Sequence, residues 1–298
     1  MNEETIRLKL FDWLNEQSLL NNHVFQRKQL ENGFEVEGKN IKLVGPSGIW
    51  KPAEFKLPIS ITTTSENPYN DGPSEVGELI YKYRGDNPNH RDNIGLRELM
   101  IHSVPLAYFK GIKPGKYIAL WPVFIKEDIP SELSVRVELN PVYMMCGIEE
   151  KTQLREKINP GIRKYIWVSI RQRVHQATFR EFVLDAYGRR CTLCNLQHDE
   201  LLEAAHIIPD FEEKGEPIVP NGLSLCKIHH AAFDKNIIGV SPDYIVKVRR
   251  DILEEEDGPM LKYGLQAMEG NKIIMPVHRK DYPDRERLDV RYRRFMMA

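Results

Sequence analysis

The chain has 298 residues, 41% of them apolar and 29% charged, with a formal net charge of −1. That length is long for one core and comfortable for two domains, and the composition excludes wholesale disorder. The near-neutral total gives no support of its own to nucleic-acid binding, so any such surface must be local.

Cysteines 146, 191, 194 and 226 fit a reducing compartment better than a disulfide framework. The opening Met-Asn-Glu-Glu-Thr lacks the basic and apolar regions of a secretory signal. The densest apolar run, Tyr117 to Ile125, contains a proline and is too short to span a bilayer. A cytoplasmic protein with no membrane partner is expected.

In chain order, Ile6, Leu10, Trp13 and Leu14 recur at helical spacing and predict an opening amphipathic helix. From Phe34 to Thr64 the pattern turns to short β-prone pieces broken by Gly38, Gly45, Pro46, Gly48 and Pro52. A polar, turn-rich stretch to Ser74 follows, then strand-like pieces at Glu78–Tyr83, Lys116–Ile125 and Leu133–Met145. Residues 1–155 therefore read as a β-rich domain with at least one helix. The charged segment Glu149–Gly161, ending in Asn-Pro-Gly, marks its edge. Residues 156–298 form the second domain, and the fold class is α+β.

Ile162 to Tyr187 is helix-permissive and basic, with Ile166, Ile170, Val174, Phe182 and Ala186 as a buried stripe. Such a charge run is usually a solvated face. Beside a hydrolytic centre, phosphate contact by Arg171 and Arg173 becomes an equal reading. The acidic run Glu254–Asp257 reads as a loop. Arg285, Arg287, Arg291, Arg293 and Arg294 fall on an expected final helix.

Cys191-Thr-Leu-Cys194 and Cys226-Lys-Ile-His229 have the spacing of two halves of a tetrahedral Cys₃His zinc site. Packed thiols beside an unrelated histidine are the bland alternative, but two correctly spaced half-sites together favour zinc. Four protein ligands leave no open position, so this Zn2+ is expected to stabilise the fold rather than react.

Between and beside the half-sites lie His206, Asn221 and His230. A neutral imidazole can take a water proton near physiological pH, which makes His206 the candidate base. His230 and Asp234 are spaced i, i+4 and project from one helix face, where they can hold a divalent ion. His229 points about 100° away, so adjacent histidines can serve different metals. Asn221, in a Pro-Asn-Gly turn, can tie down the loop bearing the base. Alone, His206 would more often be a packed core histidine; the constellation reverses that.

Across Arg180–Val240 these residues resemble the HNH family of ββα-metal nucleases. The resemblance implies His206 as base at the end of a hairpin strand, Asn221 positioning it, and His230 on the catalytic ion. Many members carry an aspartate or histidine ligand just before the base, whereas this chain has Ala205. Glu203 is the nearest acid.

In the first half, Tyr69-Asn-Asp71, Tyr81-Lys-Tyr83-Arg84-Gly85 and His90-Arg91-Asp92-Asn93 resemble the SRA (SET- and RING-associated, PUA-like) domain. That family flips a modified cytosine out of duplex DNA. The resemblance implies Tyr69 and Tyr83 as stacking rings and Asp71 as the reader of the base edge. Arg84 and Arg91 are expected phosphate contacts; ordinary sheet aromatics and surface arginines are the plain alternative.

The resulting expectation is a modification-dependent restriction endonuclease acting on double-stranded DNA that bears modified cytosine. It carries structural Zn2+ and catalytic Mg2+ or Mn2+, and acts as a homodimer. The rivals are an HNH nuclease reading unmodified sequence, an RNA-directed nuclease, and a non-catalytic DNA-binding protein.

Overall fold

The computed structural model describes residues 2–65, 78–139 and 160–298, and the side chains of all these except 78 and 160–169. Tyr69, Asp71, Cys146 and the expected edge at 155/156 lie outside the described residues. The chain divides into two compact units, Met1–Ala177 and Thr178–Ala298.

The first unit opens with α1 (Glu3–Leu20), whose N-terminus is capped by the Asn2 side chain accepting from the Thr5 amide. The short β1 (Val24–Gln26), α2 (Arg27–Asn32), β2 (Phe34–Val36), β3 (Lys39–Ile41) and β4 (Ile49–Trp50) follow, then β5 (Ser60–Thr63) and β6 (Glu78–Lys82). After α3 (Arg91–Ile101) come the long strands β7 (Leu106–Lys113) and β8 (Lys116–Ile129), and then β9 (Ser134–Leu139). Seven of these strands form one sheet in the order β4-β5-β7-β8-β9-β6, with β1 paired to β8, and β2 pairs with β3 apart from it. All pairs are antiparallel except β5 with β7.

Strand alternation sends successive side chains to opposite faces. Ala107, Phe109, Tyr117, Ala119 and Trp121 meet Leu10, Phe11 and Leu14 of α1. Leu106, Tyr108, Ile118 and Leu120 meet Leu96 and Leu99 of α3 on the other face. With helices on both faces, β7 and the Tyr117–Ile125 part of β8 are buried, which is why Tyr117–Ile125 reads as a dense apolar run.

Helix α4 (Pro160–Ala186) supplies Ile170, Val174 and Ala177 to this second core. In the C-terminal unit its last turns supply Phe179, Val183 and Leu184 to a separate core. There β10 (Leu202–His206) and β11 (Gly222–Cys226) form an antiparallel hairpin, followed by α5 (Lys227–Asp234). A second hairpin, β12 (Ile238–Val240) with β13 (Val246–Val248), then α6 (Arg250–Glu254), α7 (Pro259–Gly264) and α8 (Arg285–Met296), complete the unit. No described helix is long and apolar enough to cross a membrane. The fold is α+β, as expected.

Candidate active site

The β10–β11 hairpin and α5 place the chemistry. The register sets Leu202 opposite Cys226 at one end and His206 opposite Gly222 at the other. The hairpin thus separates a sulfur-rich end from an imidazole-bearing end, and α5, starting after Cys226, spans the two.

At the first end, the donor atoms of Cys191, Cys194, Cys226 and His229 all lie within 4.8 Å of one another. His229 Nδ1 is 3.3 Å from both the Cys191 and Cys226 sulfurs. Tetrahedral zinc with bonds of about 2.3 Å to sulfur needs donors just under 4 Å apart, so the four residues fit that ion. On the far side of the ring, His229 Nε2 donates to the Gly264 carbonyl at 2.7 Å, which leaves Nδ1 for the metal. The first knuckle is held by the Cys191 amide donating to Leu196 O and the Asn195 amide donating to Cys191 O. Thr192 ties it to β11 through the Ser224 carbonyl.

At the other end, His206 closes β10 and stacks on Phe179 of α4, with ring centroids 4.1 Å apart. Its Nε2 is buried and has no hydrogen-bond partner among the described residues. Burial lowers the pKa of His206, reinforced by nearby His230 and opposed by Asp210 and Asp234. The ring is therefore neutral at physiological pH, the state a general base requires. Gly222 lets α4 come this close: a Cβ there would lie 2.5 Å from Val183 Cγ2 and 2.9 Å from Phe179 Cζ.

Asn221 is fully buried. Its Oδ1 accepts from the Ile208 amide at 2.9 Å, and its Nδ2 donates to the carbonyls of Ile208 at 2.9 Å and Glu216 at 3.1 Å. The Ile207 amide also donates to the Asn221 carbonyl. Asn221 staples the segment that follows His206.

His230, on α5, is 24% exposed. Its Nε2 lies 3.4 Å from Asp234 Oδ2, one turn along the helix. Adjacent donors of an octahedral ion with bonds of about 2.1 Å are about 3 Å apart, so this pair fits two corners of such a site. Its Nδ1 lies 2.7 Å from Glu203 Oε2 on β10. The sequence left Glu203 without an assigned partner, and gave no hint of Phe179, Asp210 or Gly264.

The basic residues divide into two groups. Arg171 and Arg173 are exposed on α4, and Arg91 is 85% exposed. Arg84 bonds Asp92 at 2.6 Å, while its backbone is clamped by the buried Asn93. The tail arginines are mostly internal fasteners: Arg287 bonds Glu216, Arg294 bonds Glu212, and Arg291 lies over Phe233 and donates to its carbonyl. Tyr83 is 7% exposed in the sheet core, and its hydroxyl donates to Asp128.

Residues 191–241 match the family described as HNH endonuclease. No curated relative matches the chain. Among solved structures it is similar to a modification-dependent TagI restriction endonuclease, at 17% identity over 84% of this chain and 85% of that one, TM-score 0.30. It is also similar to the SUVH5 SRA domain in complex with methylated CHH DNA, at 20% identity over 38% of this chain and 89% of that one, TM-score 0.26. A third is the type IV phosphorothioation-dependent restriction endonuclease ScoMcrA, at 14% identity over 58% and 45%, TM-score 0.20. A hairpin and helix, a Cys₃His cluster at one end and His206 beside His230 at the other, together with the family match, make residues 191–241 an HNH endonuclease domain.

Proposed function

We propose that the chain is a modification-dependent restriction endonuclease that reads modified cytosine in duplex DNA and hydrolyses the backbone with its HNH domain. The observation that carries the hydrolytic half is a neutral, half-buried His206 beside His230, on a hairpin stapled by Asn221. His206 takes the proton of the attacking water. His230 and Asp234 hold a divalent ion, Mg2+ or Mn2+, that when bound supplies positive charge for the phosphate and the departing oxygen. The Cys₃His cluster holds Zn2+ as a structural element.

The reading half rests on the resemblance of the Tyr69–Asn93 motifs to SRA domains, with Tyr69, Asp71 and Tyr83 as the base-binding residues. Arg84, Arg91, Arg171 and Arg173 are proposed phosphate contacts. The exposure of Arg91, Arg171 and Arg173 is compatible with that role. Cutting both strands of a duplex calls for two centres, so a homodimer on DNA is part of the proposal. Light scattering that finds a monomer both free and on cognate duplex would refute that part.

The deciding experiment incubates the protein with Mg2+ and matched plasmids bearing cytosine, 5-methylcytosine or 5-hydroxymethylcytosine. Selective cleavage of a modified plasmid is expected. Equal cleavage of all three would leave a nuclease without a modification reader. Tight binding with no cleavage would favour a non-catalytic protein, a reading to which Ala205 lends support because it offers no ligand before the base.

A further inference from the structure

We infer that Glu203 is a positioning residue that fixes the tautomer of His230 and so aims its Nε2 lone pair at the catalytic ion. The inference rests on the proposed role of His230 and Asp234 as ion ligands, and it deepens that role.

A neutral imidazole carries one N–H, on either Nδ1 or Nε2. An ionised carboxylate only accepts. Glu203 Oε2 lies 2.7 Å from Nδ1, a hydrogen-bond distance, whereas Asp234 Oδ2 lies 3.4 Å from Nε2. The shorter contact draws the proton to Nδ1. Two acceptor atoms, Nε2 and Oδ2, then face each other, and a cation between them satisfies both.

The placement depends on the hairpin. Glu203 sits opposite Leu225 in the β10–β11 register, and α5 crosses the hairpin so that its first turns meet this strand position. Ala205, two residues on, is fully buried and has no donor atom. Strand β10 therefore acts on the ion through His230 rather than by direct ligation. A carboxylate behind a ligating imidazole also fixes the ring's orientation, and loss of such a partner typically weakens metal binding by about 10–100-fold.

The test uses the full zinc-loaded chain. Histidine ¹⁵N spectra with added Mg2+, assigned with a His230→Gln control, report which ring nitrogen carries the proton. Titration calorimetry with Mn2+ reports affinity independently of cleavage. Expected results are the proton on Nδ1 and Mn2+ binding weakened by about 10–100-fold in Glu203→Ala, with zinc content and melting temperature unchanged. Glu203→Gln, which keeps an acceptor oxygen, should lose less. A proton on Nε2, or unchanged Mn2+ affinity in Glu203→Ala, would overturn the inference. A parent protein that binds Mn2+ through the Nδ1–H tautomer yet cuts no DNA supports the Glu203 assignment and removes the nuclease reading, so the two failures are distinguishable.

Discussion

The His206 imidazole lies almost flat on Phe179, with the ring planes 19° apart. The stack holds the ring at the end of its strand, while Asn221 and the Cys₃His residues keep their places through other contacts. Replacing His206 by alanine should therefore lower cleavage by about 10²–10⁴-fold, the range of general-base catalysis, with zinc content and DNA affinity retained. Plasmid nicking beside gel-shift titration measures both. A variant cutting at the parent rate would remove His206 from the chemistry.

Burial also sets the pH dependence. The neutral ring is the working form, and its pKa lies below the ordinary 6.5. Cleavage should rise as pH climbs through that lowered value, stay level to neutrality, and be lost only on acidification. A rate profile at saturating Mg2+ shows this; an inflection above 6.5 would contradict it.

Asn221→Ala removes three side-chain hydrogen bonds and strands the buried Ile208 amide and carbonyl. Unmet buried groups cost about 1–3 kcal/mol each, so a loss of about 2–6 kcal/mol is expected. Urea unfolding of the variant measures it, and a change within 0.5 kcal/mol (roughly the surface-substitution level) would refute the stapling role.

Gly222→Ala would drive a methyl into Val183 and Phe179, both buried. Overpacking of this kind costs about 1–3 kcal/mol. Because Phe179 backs His206, the rate should fall along with the melting temperature. Full activity in a destabilised variant would show that the stack is not needed.

Cys194→Ser breaks the Cys₃His set. Metal analysis should show zinc lost, and calorimetry should show residues 178–298 melting earlier while residues 1–177 hold their transition. Retained zinc would mean that the cluster is not the binding site.

What the sequence made legible was local. Cys-x-x-Cys, Cys-x-x-His and the i, i+4 pair of His230 and Asp234 are fixed by a turn or a helix, so their spacing alone placed them. The opening helix, the basic helix and the final helix were legible for the same reason. The partners that tune the centre were not. Glu203 meets His230 only through hairpin register and helix crossing, 27 residues apart in sequence. Gly264 contributes a backbone carbonyl, which carries no side-chain signature. The tail arginines were legible only as part of a final helix, because their acids, Glu212 and Glu216, lie about 70–80 residues away, where charge patterning cannot reach. Helix α3 escaped the pattern reading, in which His90 to Asn93 entered only as part of the SRA-like motif.

His229 and His230 are consecutive, one facing the sulfurs and the other the hydrolytic side. On the proposed reading, a nascent or damaged chain that has not yet closed its thiolate cage has no properly aimed cutting arm either. Loss of the structural ion would then cost cleavage as well as stability, because a single peptide bond joins the two imidazoles.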